Sequence, residues 1–199
     1  MRALNVFIVE LDKLINDTIN VGGKELFIDT RFEMGEFNNR VNEGVVVSSP
    51  AKHDTGVEAG DTLYFHHLVV MNEGQVLTGH DNHYLVRFDP THTINNQAIA
   101  YKSAKSGHIY TLAGWTLIKP IENESLSSAS IEVVELEKSP TTRGEVAFGA
   151  DYLDELGVKA GDTVVFRDKM QYKISIDDVE YYRVRSQDLL YVEEEVYND

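Results

Sequence analysis

The chain has 199 residues, 42% of them apolar, a formal net charge of −15 and no cysteine. The charge argues against nucleic acid, whose phosphates need a basic footprint, and against anionic membrane surfaces. The missing cysteines exclude disulfides, thiolate metal sites and thiol nucleophiles. No run approaches the ~18 apolar residues of a membrane helix. Polar Asn5 and Glu10 bracket too short an apolar run for a signal peptide, so the expected location is cytoplasmic.

Residues 3–11 read as a first strand, with Val6, Ile8 and Val9 supplying β-branching. Residues 16–23 are polar and turn-rich and end in Gly22-Gly23. Then comes the apolar cluster Leu26, Phe27, Ile28, in a segment otherwise charged or polar through residue 39. It suits either an ordinary strand with a buried face or a mobile loop carrying an apolar anchor. Residues 41–48 form the next strand, ended by Ser49-Pro50.

Val57-Glu58-Ala59-Gly60-Asp61-Thr62-Leu63-Tyr64-Phe65 follows, and it organises the chain. The motif returns as Val158-Lys159-Ala160-Gly161-Asp162-Thr163-Val164-Val165-Phe166, 101 positions on (158 − 57), with six of nine residues identical. Each copy reads as a Gly-Asp turn feeding a strand: glycine takes a positive φ and the aspartate caps a backbone N–H. A repeat at this offset predicts two modules of about 100 residues, the common domain size. Their expected limits are 1–112 and 113–199.

The first module carries an extra hairpin near 66–88, where Leu68-Val69-Val70, Gln75-Val76-Leu77 and Tyr84-Leu85-Val86 read as short strands around turn signals. Residues 94–101 and 109–117 read as two more. The second module opens with Trp115-Thr116-Leu117-Ile118-Lys119-Pro120. A Ser-rich stretch precedes Ile131-Glu132-Val133-Val134. Strands are expected at 143–149, 171–176, 179–184 and 189–192, with one helical turn at 152–156. No long stretch keeps a 3.6-residue period, so the class is all-β, with a small barrel or sandwich in each module.

Residues 114–195 resemble the GroES co-chaperonin family. The resemblance rests on the opening strand at Trp115–Pro120, on Thr142-Arg143-Gly144-Glu145-Val146, on the Gly-Asp motif, and on the ending Glu180-Tyr181-Tyr182-Arg183-Val184 followed by Ser186-Gln187-Asp188-Leu189-Leu190-Tyr191-Val192. The first module shares the Gly-Asp turn and a Gly-Gly pair ahead of an apolar cluster. The resemblance implies two tandem GroES-like irregular Greek-key β-barrels. It also implies a homo-oligomeric ring that caps a chaperonin (GroEL-like) ring in a nucleotide-dependent way, to assist ATP-dependent folding. In such a cap, mobile loops dock apolar residues on the partner. Carried over, the first loop spans about 17–40 with Leu26, Phe27 and Ile28 as anchor. The second spans about 123–142 with Ile131, Val133 and Val134, where the intervening Glu132 departs from an apolar anchor.

No catalytic residue, metal or cofactor is expected. His66, His67, His80 and His83, with Asp81, fall in the extra hairpin, but adjacent His66 and His67 would point to opposite faces of a strand, so the surface reading is preferred to a metal site. GroES-like barrels also occur in medium-chain alcohol dehydrogenases, but those need a nucleotide-binding half and usually cysteine zinc ligands. The alternative to a co-chaperonin is a GroES-like structural or assembly protein that binds no chaperonin.

Overall fold

The structure is a computed structural model that describes residues 1–27, 29, 40–71, 76–92, 96–121, 141–149, 151–169 and 172–193. The chain splits into two compact units, Met1–Ala113 and Gly114–Asp199. The described residues form fourteen strands and almost no helix. Among them, no helix is long and apolar enough to cross a membrane.

In the first unit the strands are β1 (Val6–Glu10), β2 (Thr18–Val21), β3 (Lys24–Phe27), β4 (Glu43–Ser48), β5 (Thr62–Phe65), β6 (His83–Arg87), β7 (Ala98–Lys102) and β8 (Ile109–Thr111). All but β2 and β3 make one antiparallel sheet in the order β6-β1-β4-β5-β7-β8. The second unit has β9 (Trp115–Pro120), β10 (Arg143–Phe148), β11 (Thr163–Phe166), β12 (Tyr172–Ile176), β13 (Val179–Arg185) and β14 (Leu189–Val192). Its order is β12-β13-β9-β10-β11-β14. In each unit a strand late in the sequence lies beside the first of three successive ones, β6-β1-β4-β5 and β13-β9-β10-β11, which is the Greek-key order.

The sheets curl on themselves, and in the second unit chain length forces this. A flat sheet would hold β13 and β14 four spacings apart, ~19 Å at ~4.8 Å each. Only Ser186–Asp188, one 3₁₀ turn, joins them. Four Cα steps span at most ~14 Å when extended, and less in a 3₁₀ turn. In the first unit the end of β6 meets the start of β7: Gln97 N–H donates to the Arg87 carbonyl (3.0 Å), and the Gln97 carbonyl accepts from His66 N–H (2.9 Å).

The Gly-Asp motif does what its residues require. Gly60 and Gly161 sit at φ 93° and 98°. Their N–H groups donate to the carbonyls of Val46 and Val146 (2.8 Å each), fixing β4 on β5 and β10 on β11. The Asp61 and Asp162 carboxylates accept the N–H of Glu58 and Lys159, again at 2.8 Å. Asp61 also accepts Ala104 N–H (2.8 Å) and is buried.

Ladder register matches positions across the units beyond that motif. Val9 faces Val46 and Tyr84, as Ile118 faces Val146 and Tyr182. A bulge follows at the same place, between Ile8 and Val9 and between Val146 and Phe148. All six buried members of the second unit's core cluster have a counterpart in the first unit's cluster: Ile118 with Val9, Val146 with Val46, Val164 with Leu63, Phe166 with Phe65, Tyr182 with Tyr84 and Val184 with Val86. One matched pair has changed chemistry. Phe7 and Phe88 meet edge to face with ring centres 5.5 Å apart. At the equivalent positions, Thr116 and Ser186 are buried and share a hydroxyl hydrogen bond of 2.9 Å. A ring pair and a hydroxyl pair fill the same place, each complete in itself.

The first strand of the second unit also carries its lone tryptophan. The Arg185 guanidinium lies 3.9 Å from the Trp115 ring centre, and Arg183, 5.8 Å from it, lies 5.2 Å from that of Tyr172. Burial lowers the Arg183 pKa to about 10.

Three expectations change. Leu68-Val69-Val70 is a helical turn, α1 (Leu68–Met71), and not a strand. His66 starts it, its carbonyl accepting Val69 N–H (2.9 Å) and its Nδ1 accepting Leu68 N–H (3.2 Å). Val69 is fully buried and Val70 nearly so, so tertiary burial overrides their β propensity. Of 75–77, Val76 makes a single bridge to Tyr84. The run 109–117 breaks into β8 and β9 at Gly114, whose φ is 85°. The expected helical turn is α2 (Asp151–Glu155). Gln171 and the stretch 131–136 lie outside the described residues.

Thr116→Val strands the Ser186 hydroxyl in the core and is expected to cost about 1–3 kcal/mol, as is Ser186→Ala. The double variant should cost less than the sum, with a coupling of about 1 kcal/mol. Urea unfolding followed by Trp115, the chain's one tryptophan, measures all three. Additive costs would show that the two hydroxyls do not act as a pair.

Candidate functional site

The described ends of the segment between β1 and β4 meet beside the first unit's sheet. Ile15 bridges Arg40, and Val41 N–H donates to the Leu14 carbonyl (3.0 Å). Between those ends, β2 and β3 form a two-stranded antiparallel sheet of their own. Thr18 pairs with Phe27, Ile19 with Leu26, Asn20 with Glu25 and Val21 with Lys24. Gly22 and Gly23 make the turn at φ 61° and 79°. Two successive left-handed residues are what a tight hairpin matching strand twist needs, and glycine takes them without strain.

Of the two sequence readings of this cluster, a strand with a buried face does not fit. Every residue of β3 is exposed, Phe27 83% and Leu26 47%, and Val21 across the turn is 52% exposed. A two-stranded hairpin with no third strand is marginal in water. Full burial of a phenylalanine is worth about 1.5–3 kcal/mol, and this hairpin leaves that apolar surface in solvent. Ile28 lies outside the described residues, as do Ile131, Val133 and Val134 of the second expected anchor. The structure therefore brings Leu26 and Phe27 to one exposed hairpin end. The hairpin itself was readable: Thr18-Ile19-Asn20-Val21 and Lys24-Glu25-Leu26-Phe27 flank a two-glycine turn.

The histidines form two neighbouring pairs, His66 with His67 (ring centres 4.4 Å apart) and His80 with His83 (5.1 Å). His83 Nδ1 lies 2.7 Å from Asn82 Oδ1, and Asn82 Nδ2 donates to Glu10 (2.6 Å). Among the described residues, no three His, Asp or Glu side chains are grouped to hold a metal ion.

The family model for the chaperonin 10 kDa subunit matches residues 108–192. A curated relative, the co-chaperonin GroES of Pseudothermotoga lettingae, is 32% identical over 74 residues, which are 37% of this chain and 83% of that protein. The chain therefore belongs to the chaperonin 10 (GroES) family.

Gly23→Val puts a β-branched residue at a left-handed position and is expected to cost the hairpin about 1–2 kcal/mol. Hydrogen exchange should show lost protection for the amides of β2 and β3, while the six-stranded sheet keeps its own. Loss of protection throughout the first unit would mean that the hairpin is integral to that unit.

Proposed function

We propose that the chain is a co-chaperonin that caps a chaperonin (GroEL-like) ring and assists its ATP-dependent folding cycle. Leu26, Phe27 and Ile28 anchor the contact from the first unit, and Ile131, Val133 and Val134 from the second. The observation that carries this reading is the exposure of Phe27 on a two-stranded hairpin apart from the six-stranded sheet. Family membership supports the role. The matched registers and core of the two units support reading the first as a second GroES-like module. The action is a binding equilibrium and uses no catalytic residue. Each anchor is small, so a homo-oligomeric ring presenting many copies would gain its grip through avidity.

Pull-down of a chaperonin double ring, with ATP, with ADP and without nucleotide, tests this. Nucleotide-dependent capture is expected. Replacing Leu26, Phe27 and Ile28 together by serine should weaken capture by about 1,000-fold or more, since each lost apolar burial is worth ~1.5 kcal/mol or more. The same loss from Ile131→Ser with Val133→Ser would assign the grip to the second unit. No capture by any chaperonin, the source organism's own included, would leave the alternative, a GroES-like assembly protein.

A further inference from the structure

Two histidines stand at the ends of one tight turn leading into β6. The His80 carbonyl accepts His83 N–H (3.0 Å), which closes the turn His80-Asp81-Asn82-His83. The Leu77 carbonyl accepts His80 N–H (3.0 Å), and Leu77 N–H donates to the His83 carbonyl (2.8 Å). Leu11 N–H donates to the Asn82 carbonyl (3.0 Å), and Glu10 lies opposite His83 in the ladder of β1 with β6. The backbone beneath both imidazoles is therefore held from two sides.

Hydrogen bonds also decide which nitrogen of His83 is open. An ionised carboxylate only accepts, so the Asn82 amide turns its Nδ2 to Glu10 Oε1 (2.6 Å). That leaves Asn82 Oδ1, an acceptor, 2.7 Å from His83 Nδ1. Nδ1 therefore carries the proton and Nε2 keeps a lone pair. A donated N–H on the far side of the ring is how metal-ligating histidines are held. The other histidine pair is built the opposite way. His66 Nδ1 accepts Leu68 N–H (3.2 Å), so the His66 lone pair is already engaged and its proton sits on Nε2.

The spacing agrees. An imidazole bound through nitrogen at ~2.0–2.1 Å puts its ring centre about 3.2 Å from the ion, so two of them at a tetrahedral angle stand about 5.2 Å apart. The His80 and His83 ring centres are 5.1 Å apart; those of His66 and His67, at 4.4 Å, are closer than that.

We propose that His80 and His83 chelate one divalent late transition-metal ion such as Zn²⁺, through Nε2 of His83 and an imidazole nitrogen of His80. Imidazole suits Zn²⁺, Ni²⁺ and Cu²⁺, whereas Mg²⁺ and Ca²⁺ prefer carboxylate and carbonyl oxygen. Among the described residues no third His, Asp or Glu side chain joins the pair, so water fills the remaining positions and the ion exchanges readily. Asn82 is a positioning residue that Glu10 orients. The bound ion fastens the turn to the end of β1. None of this depends on the co-chaperonin reading.

Calorimetric titration of the full chain with Zn²⁺ alone tests the site. One Zn²⁺ per chain is expected, held at least tenfold more tightly than by a variant with His80→Ala and His83→Ala. Asn82→Ala keeps both ligands, loses the support and should weaken binding by about tenfold. His66→Ala with His67→Ala should leave binding unchanged. Cu²⁺ should displace Zn²⁺, and Mg²⁺ should not. His80 and Asn82 are exposed and His83 partly so, and circular dichroism should find the variants folded. In the metal-free chain, nitrogen NMR should show His83 protonated at Nδ1, and Zn²⁺ should shift its Nε2 resonance. Zn²⁺ binding that is equal with and without His80 and His83, or that is lost on replacing His66 and His67, overturns the proposal. Full-strength binding by Asn82→Ala, with His83 protonated at Nε2 in the metal-free chain, overturns the role given to Asn82.

Discussion

The Asp carboxylate that closes each Gly-Asp turn is the contact the rest of the fold depends on. By holding the N–H three residues upstream, Asp61 and Asp162 set the turn that aims the Gly60 and Gly161 amides at Val46 and Val146. Those two bonds fix which residue of β4 faces which of β5, and of β10 which of β11. Side chains alternate along a strand, so a slip of one residue would turn the core face to solvent. With the register pinned, Val46 and Leu63, or Val146 and Val164, point inward, and the neighbouring strands build on them. The additional bond from Ala104 ties the turn of the first unit to the chain beyond β7.

A barrel held from within leaves its connections free to vary. In the connection from β1 to β4, the described strand β3 is exposed throughout and lies in a two-stranded sheet apart from the six-stranded one. Phe27, 83% exposed, is no part of the core cluster.

Much of this could be read from the residues. The Gly-Asp turn, most strands of the second unit and the family came from local patterns that the fold respects. The match between the units was legible residue by residue only at that turn, because the offset drifts from 109 at β1 and β9, to 100 at β4 and β10, 101 at β5 and β11, 98 at β6 and β13, and 91 at β7 and β14. Insertions between strands break a single alignment while hydrogen-bond register survives them. The exchange of Phe7 and Phe88 for Thr116 and Ser186 was hidden for the same reason, since neither pair is local in sequence. The turn α1 was missed because burial of Val69 and Val70 outweighed propensity. The Leu26 and Phe27 anchor was legible as composition. Its presentation on a hairpin required reading Gly22-Gly23 as a turn between two strands.

The most direct test of the co-chaperonin account is functional replacement. A denatured substrate protein that needs chaperonin, ATP and a cap to refold would be given chaperonin and ATP, with this chain as the cap. The account predicts recovery of native substrate well above chaperonin and ATP alone, lost when the chain carries Phe27→Ser with Leu26→Ser and retained when it carries Tyr110→Ser, away from the hairpin. Recovery no better than without the chain, using the source organism's own chaperonin, would contradict it.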